Sequence, residues 1–286
     1  LPKRFFPEFA CFRSGSFRWC CSDSSIRNIL EELSGDYEQL RSKTPSQDSS
    51  HVSFEHRAPE IRGGRAFVKL YPVRHGKQKL REGFRLKHKQ YGRRYAIGEA
   101  LNTIEARKRG IPCPRIYAVG ERRKGFLIHD YIAVLEHLAG YRTLSQLLSA
   151  ASSEEVRLGG LKRAEGLIWR MLDQGMFHAD LTSKNLMISE SGGADDRVVD
   201  LEYVTFLASP APDLLAFQLG YLYRKWCGDV LEESLYDEWA GRFFGRLHSS
   251  HTGSEMPRIY NEAKSRHFSR KEIFAVAEGR NFESPE

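Results

Sequence analysis

Phe177-His178-Ala179-Asp180-Leu181-Thr182-Ser183-Lys184-Asn185-Leu186-Met187-Ile188, followed shortly by Val198-Val199-Asp200-Leu201-Glu202, is the stretch that decides the fold. Two very short apolar runs, Leu186 to Ile188 and Val198 to Val199, flank a turn rich in Gly, Ser and Asp, Ser189 to Arg197. That composition predicts a β-hairpin. In an antiparallel pair the start of one strand lies beside the end of the other. Asn185, just before the first strand, and Asp200, just after the second, are therefore neighbours in space. Asp180 lies on the loop leading into the same edge, so three oxygen-bearing side chains converge there.

Upstream of this hairpin the pattern is helical. Ser152 and Glu155 predict a capping-box start for a long helix running to about Gln174, with Leu158, Leu161, Ala164, Ile168, Met171 and Leu172 as its buried stripe. Further back, Ile116 to Val119 and Gly125 to His129 read as strands around a charged turn, Gly120 to Lys124. A helix fits Tyr95 to Arg109, stopped by Gly110 and by Pro112 and Pro114. His51 to Arg57 and Ala66 to Tyr71 read as strands joined through Arg62-Gly63-Gly64-Arg65. Arg41 to Ser50 is polar and reads as a linker, Ile26 to Leu40 as an amphipathic helix, and residues 1–25 show no clear period. Downstream, Pro210, Pro212 and Asp213 open a helix to about Trp226, and Asp213 is explained there by helix capping alone. Strands with one helix, then mostly helices with one hairpin, predict an α+β chain in two lobes, a small β-rich N-lobe and a mainly helical C-lobe.

The bulk numbers are compatible with this. A chain of 286 residues with 41% hydrophobic and 28% charged residues can bury a sizeable core. No apolar run approaches the ~18 residues of a membrane-spanning helix, and the start of the chain lacks the features of a signal peptide. The five cysteines, Cys11, Cys20, Cys21, Cys113 and Cys227, form neither a zinc pattern nor a disulfide framework. They are expected to be free thiols in a reducing, cytoplasmic compartment. The net charge of +7 is uneven: between Arg62 and Arg94 the single acid is Glu82. That stretch reads either as a solvated basic face or as a surface for phospholipid, phosphorylated glycolipid or nucleic acid.

The chemistry follows from Asp180, Asn185 and Asp200. Oxygen ligands with open positions suit Mg²⁺, which takes one or two carboxylates plus substrate phosphates. In phosphoryl transfer an Asp orients the acceptor hydroxyl while an Asn and a second Asp hold the metal. The order His-x-Asp-x-x-x-x-Asn, a short hairpin and then Asp resembles the catalytic pattern of the protein-kinase-like fold. Phe67-Val68-Lys69-Leu70 resembles that fold's strand with the ATP-phosphate lysine. Glu99, on the next helix, sits where its ion-pair glutamate belongs, with Glu105 as the alternative. Asp130-Tyr131-Ile132 falls where the inter-lobe hinge is expected.

Within that fold the chain resembles the lipopolysaccharide core kinases, the heptose and Kdo kinase group. A basic stretch after the short lysine strand, Gly110-Ile111-Pro112-Cys113-Pro114 after the helix, and Asp200-Leu201-Glu202 in place of Asp-Phe-Gly carry this resemblance. It spans roughly residues 50–225, and antibiotic kinases and small atypical protein kinases share most of these motifs. It implies an extension over 1–50, a nucleotide-binding lobe over 51–130 and a catalytic lobe over 131–286. Three departures stand out. No Gly-x-Gly-x-x-Gly precedes Lys69, so the phosphate-covering turn is expected near Ser49 to Ser53. Ala179 replaces the usual arginine. Asp213 follows closely on Asp200, and no Ala-Pro-Glu occurs, which leaves little room for a peptide substrate.

The resemblance implies transfer of the ATP γ-phosphate to a sugar hydroxyl of the lipopolysaccharide inner core, at the cytoplasmic membrane face. Asp180 would be catalytic, Asn185 and Asp200 would hold Mg²⁺, and Lys69 with Glu99 would bind the nucleotide. His178 and Trp169 read as structural residues. Lys184 reads either as a neutraliser of phosphate charge or as a solvated side chain, and Glu202 either as a metal auxiliary or as a backbone partner. The expected partners are a glycolipid or small sugar acceptor and an anionic membrane surface. No aromatic-interleaved basic motif supports nucleic acid. The alternatives are an aminoglycoside-type small-molecule kinase, which would need an acidic acceptor pocket, and a non-catalytic pseudokinase module.

Overall fold

The computed structural model describes residues 5–42, 52–73, 76–84, 97–191, 195–208, 212–248, 255–269, 272–273 and 275. The chain divides into two compact units. Leu1–Glu105 with Pro114–Ala139 form the first, and Ala106–Cys113 with Gly140–Glu286 the second.

The first unit contains β1 (Ala10–Ser14), β2 (Phe17–Cys21), α1 (Arg27–Gly35), α2 (Tyr37–Ser42), β3 (Val52–Arg57), β4 (Arg65–Pro72), α3 (Gly76–Gly83), most of α4 (Ile97–Lys108), β5 (Ile116–Lys124) and β6 (Leu127–Glu136). Its strands form one six-stranded sheet in the order β1-β2-β5-β6-β4-β3, and every pairing is antiparallel. Successive side chains of a strand face opposite sides, and this period sorts the two cores. Val68, Leu70, Ile132 and Val134 pack with Ile29, Leu30 and Leu33 of α1. Tyr71, Tyr131, Ala133 and Leu135 pack on the other face with Ile97 and Ala100 of α4. Lys69 shares the strand parity of Tyr71 and so faces α4.

Several expectations change here. Residues 10–21 are a hairpin that extends the sheet beyond β5, so this segment, without a clear period in sequence, is part of the first unit. Cys11 and Cys20 are not free thiols: they stand opposite each other in β1 and β2, with Cα atoms 4.2 Å apart, and form a disulfide. Cys21, Cys113 and Cys227 are buried and stand outside this disulfide. The helix expected over Ile26 to Leu40 is two helices, broken at Asp36. The charged segment Gly120 to Lys124 is not a turn but part of β5, and the turn falls at Gly125, whose φ is 61°. Gly120 answers a different need: a Cβ there would lie 2.5 Å from the Trp19 ring on the neighbouring strand.

Asp130-Tyr131-Ile132 is no hinge either. It lies inside β6, where the fully buried Asp130 accepts from Nε of Arg122 at 2.8 Å across the strand pair. Burial, and then the Asp130 carboxylate, push the nearby Tyr37 hydroxyl far above its ordinary pKa. The chain passes between the two units at Glu105 and Ala106, at Cys113 and Pro114, and at Ala139 and Gly140. The linker residues 43–50 and the first residues of the expected phosphate-covering turn, 49–51, lie outside the described residues. Val52 and Ser53 already belong to β3. The basic stretch contains α3, and its single acid, Glu82, is buried and accepts from the Tyr131 hydroxyl at 3.0 Å.

The second unit contains β7 (Tyr141–Thr143), α5 (Leu144–Ala150), α6 (Glu154–Asp173), β8 (Met176–His178), β9 (Leu186–Ser189), β10 (Arg197–Val198), β11 (Val204–Phe206), α7 (Pro212–Leu222), α8 (Glu233–His248) and α9 (Met256–Ser265). The α6 stripe is buried as read, Leu158 excepted. Its cap is Ser153, not Ser152, and the capping box belongs to α5, between Thr143 and Gln146. A wide turn, Tyr223–Cys227, ends α7 before Trp226. Helices α7 and α9 approach closely at Gly220, where a Cβ would lie 2.3 Å from the Tyr260 carbonyl oxygen and 2.8 Å from Ala263 Cβ. Gly220→Ala is expected to cost about 1–3 kcal/mol by forcing these helices apart, read as a lowered denaturation midpoint. No helix among the described residues is long and apolar enough to cross a membrane.

Candidate active site

The predicted site residues form one cluster in each unit. In the first, Lys69 Nζ donates to Glu99 Oε1 at 2.6 Å. The Tyr71 hydroxyl donates to the other oxygen, Oε2. Both ends of the ion pair are buried, Lys69 at 7% and Glu99 at 4% exposure. Glu99 sits in the first turn of α4, where a carboxylate also opposes the positive end of the helix dipole. Glu99, not Glu105, is thus the partner of Lys69. Tyr71 was not singled out from sequence, although its signal was present. Two residues along a strand return to the same face, so the strand neighbours of Lys69 toward α4 are Phe67 and Tyr71, and of these only Tyr71 carries a donor.

In the second unit the loop from His178 to Asn185 is held from several sides. β8 pairs with β11, placing His178 opposite Val204, and Ala179 N–H donates to the Tyr203 carbonyl at 2.8 Å. His178 Nδ1 accepts from Asp180 N–H at 3.3 Å. The ring proton then sits on Nε2, which lies 3.3 Å from the Val199 carbonyl oxygen and donates to it. His178 is almost fully buried and ties the loop to the end of the hairpin, the structural part expected of it.

Asn185 Nδ2 donates to the Asp180 carbonyl at 2.8 Å. The Asn185 carbonyl accepts from Val199 N–H at 2.9 Å, one step beyond the β9–β10 ladder. Asp200 is therefore one residue past Asn185's partner, as the hairpin argument required. On the other edge of β10, Val198 N–H donates to the Pro112 carbonyl at 2.9 Å, which brings in the Gly110–Cys113 loop. The half-buried Asp180 accepts from the Tyr221 hydroxyl at 3.1 Å through Oδ1. Tyr221 lies on α7, and no local motif links it to Asp180. Lys184 is exposed.

Asp200 has φ 60° and ψ 52°, and it is the one non-glycine residue with positive φ among the described residues. Such left-handed backbone is costly for most side chains and collects at functional sites. No group of three or more His, Cys, Asp or Glu that could hold a metal ion occurs among the described residues. The donors at the hairpin edge do suit a hard cation that completes its shell with substrate oxygens. Asn185 commits its amide nitrogen to Asp180, so its side-chain oxygen is the atom that would face a cation, and Asp200 would add a carboxylate.

A family model described as the lipopolysaccharide kinase (Kdo/WaaP) family matches residues 62–205, half of the chain. The chain belongs to that family and is a phosphotransferase. One similar solved structure is described as WaaP in complex with acyl carrier protein. It is 14% identical, with 88% of this chain and 94% of that chain covered and a TM-score of 0.48. No curated protein sequence matches the chain.

Proposed function

We propose that this chain transfers the γ-phosphate of ATP to a heptose or Kdo hydroxyl of the lipopolysaccharide inner core, with Mg²⁺, at the cytoplasmic face of the membrane. The observation that carries the proposal is the convergence of Asp180, Asn185 and Asp200 on one hairpin edge in a lipopolysaccharide kinase family member. Asp180 orients the acceptor hydroxyl and takes its proton at the carboxylate. The Tyr221 hydroxyl occupies Oδ1 and leaves Oδ2 for the acceptor. Asn185 and Asp200 are the residues that would hold Mg²⁺, which supplies charge neutralisation for the phosphates when bound. Lys69 steadies the nucleotide phosphates, and Glu99 with Tyr71 keep its ammonium in place.

The test is incubation of the purified protein with labelled ATP, Mg²⁺ and dephosphorylated lipopolysaccharide core. Label on the core supports the proposal. ATP binding without transfer to any core sugar would move the acceptor to another small molecule, and failure to bind ATP would favour a non-catalytic module.

Tyr221 has a narrower expectation. Tyr221→Phe removes one hydrogen bond to Asp180, worth about 1.5–3 kcal/mol when the acceptor is charged. Steady-state kinetics should show kcat reduced roughly tenfold or more, with the KM for ATP unchanged. An unchanged kcat would remove Tyr221 from this role.

A further inference from the structure

Among the described residues four large hydrophobic side chains are exposed, and three of them, Leu80 (45%), Phe84 (62%) and Phe126 (56%), gather in the first unit. Leu80 and Phe84 lie four residues apart at the end of α3 and share a helix face. Phe126, in the turn between β5 and β6, brings its ring centroid to 5.9 Å from that of Phe84. The two elements touch closely, since a Cβ at Gly83 would lie 2.9 Å from the Phe126 carbonyl oxygen. Scattered exposed apolar residues need no explanation, but a contiguous group does.

Among the described residues the exposed charges on these two elements beside the group are of one sign. Lys77 lies one turn before Leu80 on the same face, and Lys124 is two residues before Phe126. Lys79 belongs to the same helix, and its charge, after burial, helps hold His129 of β6 below its ordinary pKa. None of these three lysines has an ion-pair partner among the described residues. The one acid of α3, Glu82, is turned inward to Tyr131.

We infer that Leu80, Phe84 and Phe126, with Lys77, Lys79 and Lys124, form an interfacial anchor that inserts into an anionic lipid surface. A partner helix would be received by an apolar groove. Here the apolar side chains stand outward on a helix end and a hairpin turn, a shape suited to entering the boundary between headgroups and acyl chains. The lysines then lie at headgroup level, where each adds attraction to anionic lipid. The inference deepens the proposed function by naming the surface through which a lipid-borne acceptor is approached. It rests on that reading for its biological purpose and not for its chemistry.

The experiment is flotation of the full chain with vesicles of phosphatidylcholine alone or mixed with phosphatidylglycerol. The wild type should bind the mixed vesicles and not the neutral ones. The triple variant Leu80→Ser/Phe84→Ser/Phe126→Ser should bind at least about tenfold more weakly, the scale expected from losing even one buried phenylalanine. Its thermal melt should be unchanged, because these side chains are already exposed. Lys77→Ser/Lys79→Ser/Lys124→Ser should lose the preference for phosphatidylglycerol. Triple-variant binding equal to wild type, or wild type that floats with neither vesicle, overturns the inference. Loss of binding to soluble polyglutamate with vesicle binding intact would also overturn it and assign the patch to an acidic protein. Phosphorylation of a water-soluble core oligosaccharide separates the two readings. It should survive in the triple variant, and its absence from wild type would sink the kinase reading while leaving the vesicle result standing.

Discussion

Asp180→Asn is expected to fold with an unchanged melting profile and to transfer phosphate about 10²–10⁴-fold more slowly, the usual share of a general base. The substitution keeps the shape of the side chain and its capacity to accept from the Tyr221 hydroxyl. It leaves the backbone bonds of Asp180 to His178 and Asn185 in place. What it removes is the negative charge that draws the proton from the acceptor. The loss should fall on kcat, with the KM for ATP little changed, because the nucleotide contacts assigned to Lys69 are untouched. Single-turnover transfer from labelled ATP is the measurement. Full activity in Asp180→Asn would dismiss this carboxylate and with it the whole assignment of the loop.

Glu99→Ala is expected to have the largest effect on stability. It strips both the Lys69 ammonium and the Tyr71 hydroxyl of a buried acceptor. Removing one partner of a buried ion pair costs about 3–5 kcal/mol. Solvent screening gives little relief, since both side chains of the pair are under a tenth exposed. The double variant Lys69→Met/Glu99→Leu separates stability from function. It replaces the pair with apolar groups of similar volume, which is often neutral or stabilising, so it should recover most of the lost stability and none of the ATP binding. Denaturant unfolding together with nucleotide titration checks both halves. A double variant that still bound ATP with wild-type affinity would remove Lys69 from the phosphate site.

The segment from Phe177 to Glu202 was legible because its geometry is local. A short hairpin brings its two ends together whatever surrounds it, so Asn185 and Asp200 could be placed side by side from spacing alone. Lys69 and Glu99 were found through their order along the chain, and the strand period then explains why the lysine meets α4. What escaped depended on partners distant in sequence. The β1–β2 hairpin gains its place from pairing with β5, nearly a hundred residues later. The disulfide depends on the register that sets Cys11 opposite Cys20, which residue spacing does not disclose. Gly120 looked like a turn residue among charges, yet it makes room for Trp19. Tyr221 reaches Asp180 from a helix whose position only the packed core defines.

The left-handed backbone at Asp200 narrows what evolution can do at that position. Glycine and asparagine tolerate such a conformation with least strain, and neither carries a charge. Glutamate has the charge but lacks the short side chain that eases this backbone. Aspartate alone satisfies both demands, so the position has almost no neutral neighbours in sequence space. A lineage that changed it would give up charge or backbone shape in one step, and a descendant bearing asparagine or glycine there would keep the hairpin's outline while having left the proposed cation chemistry behind.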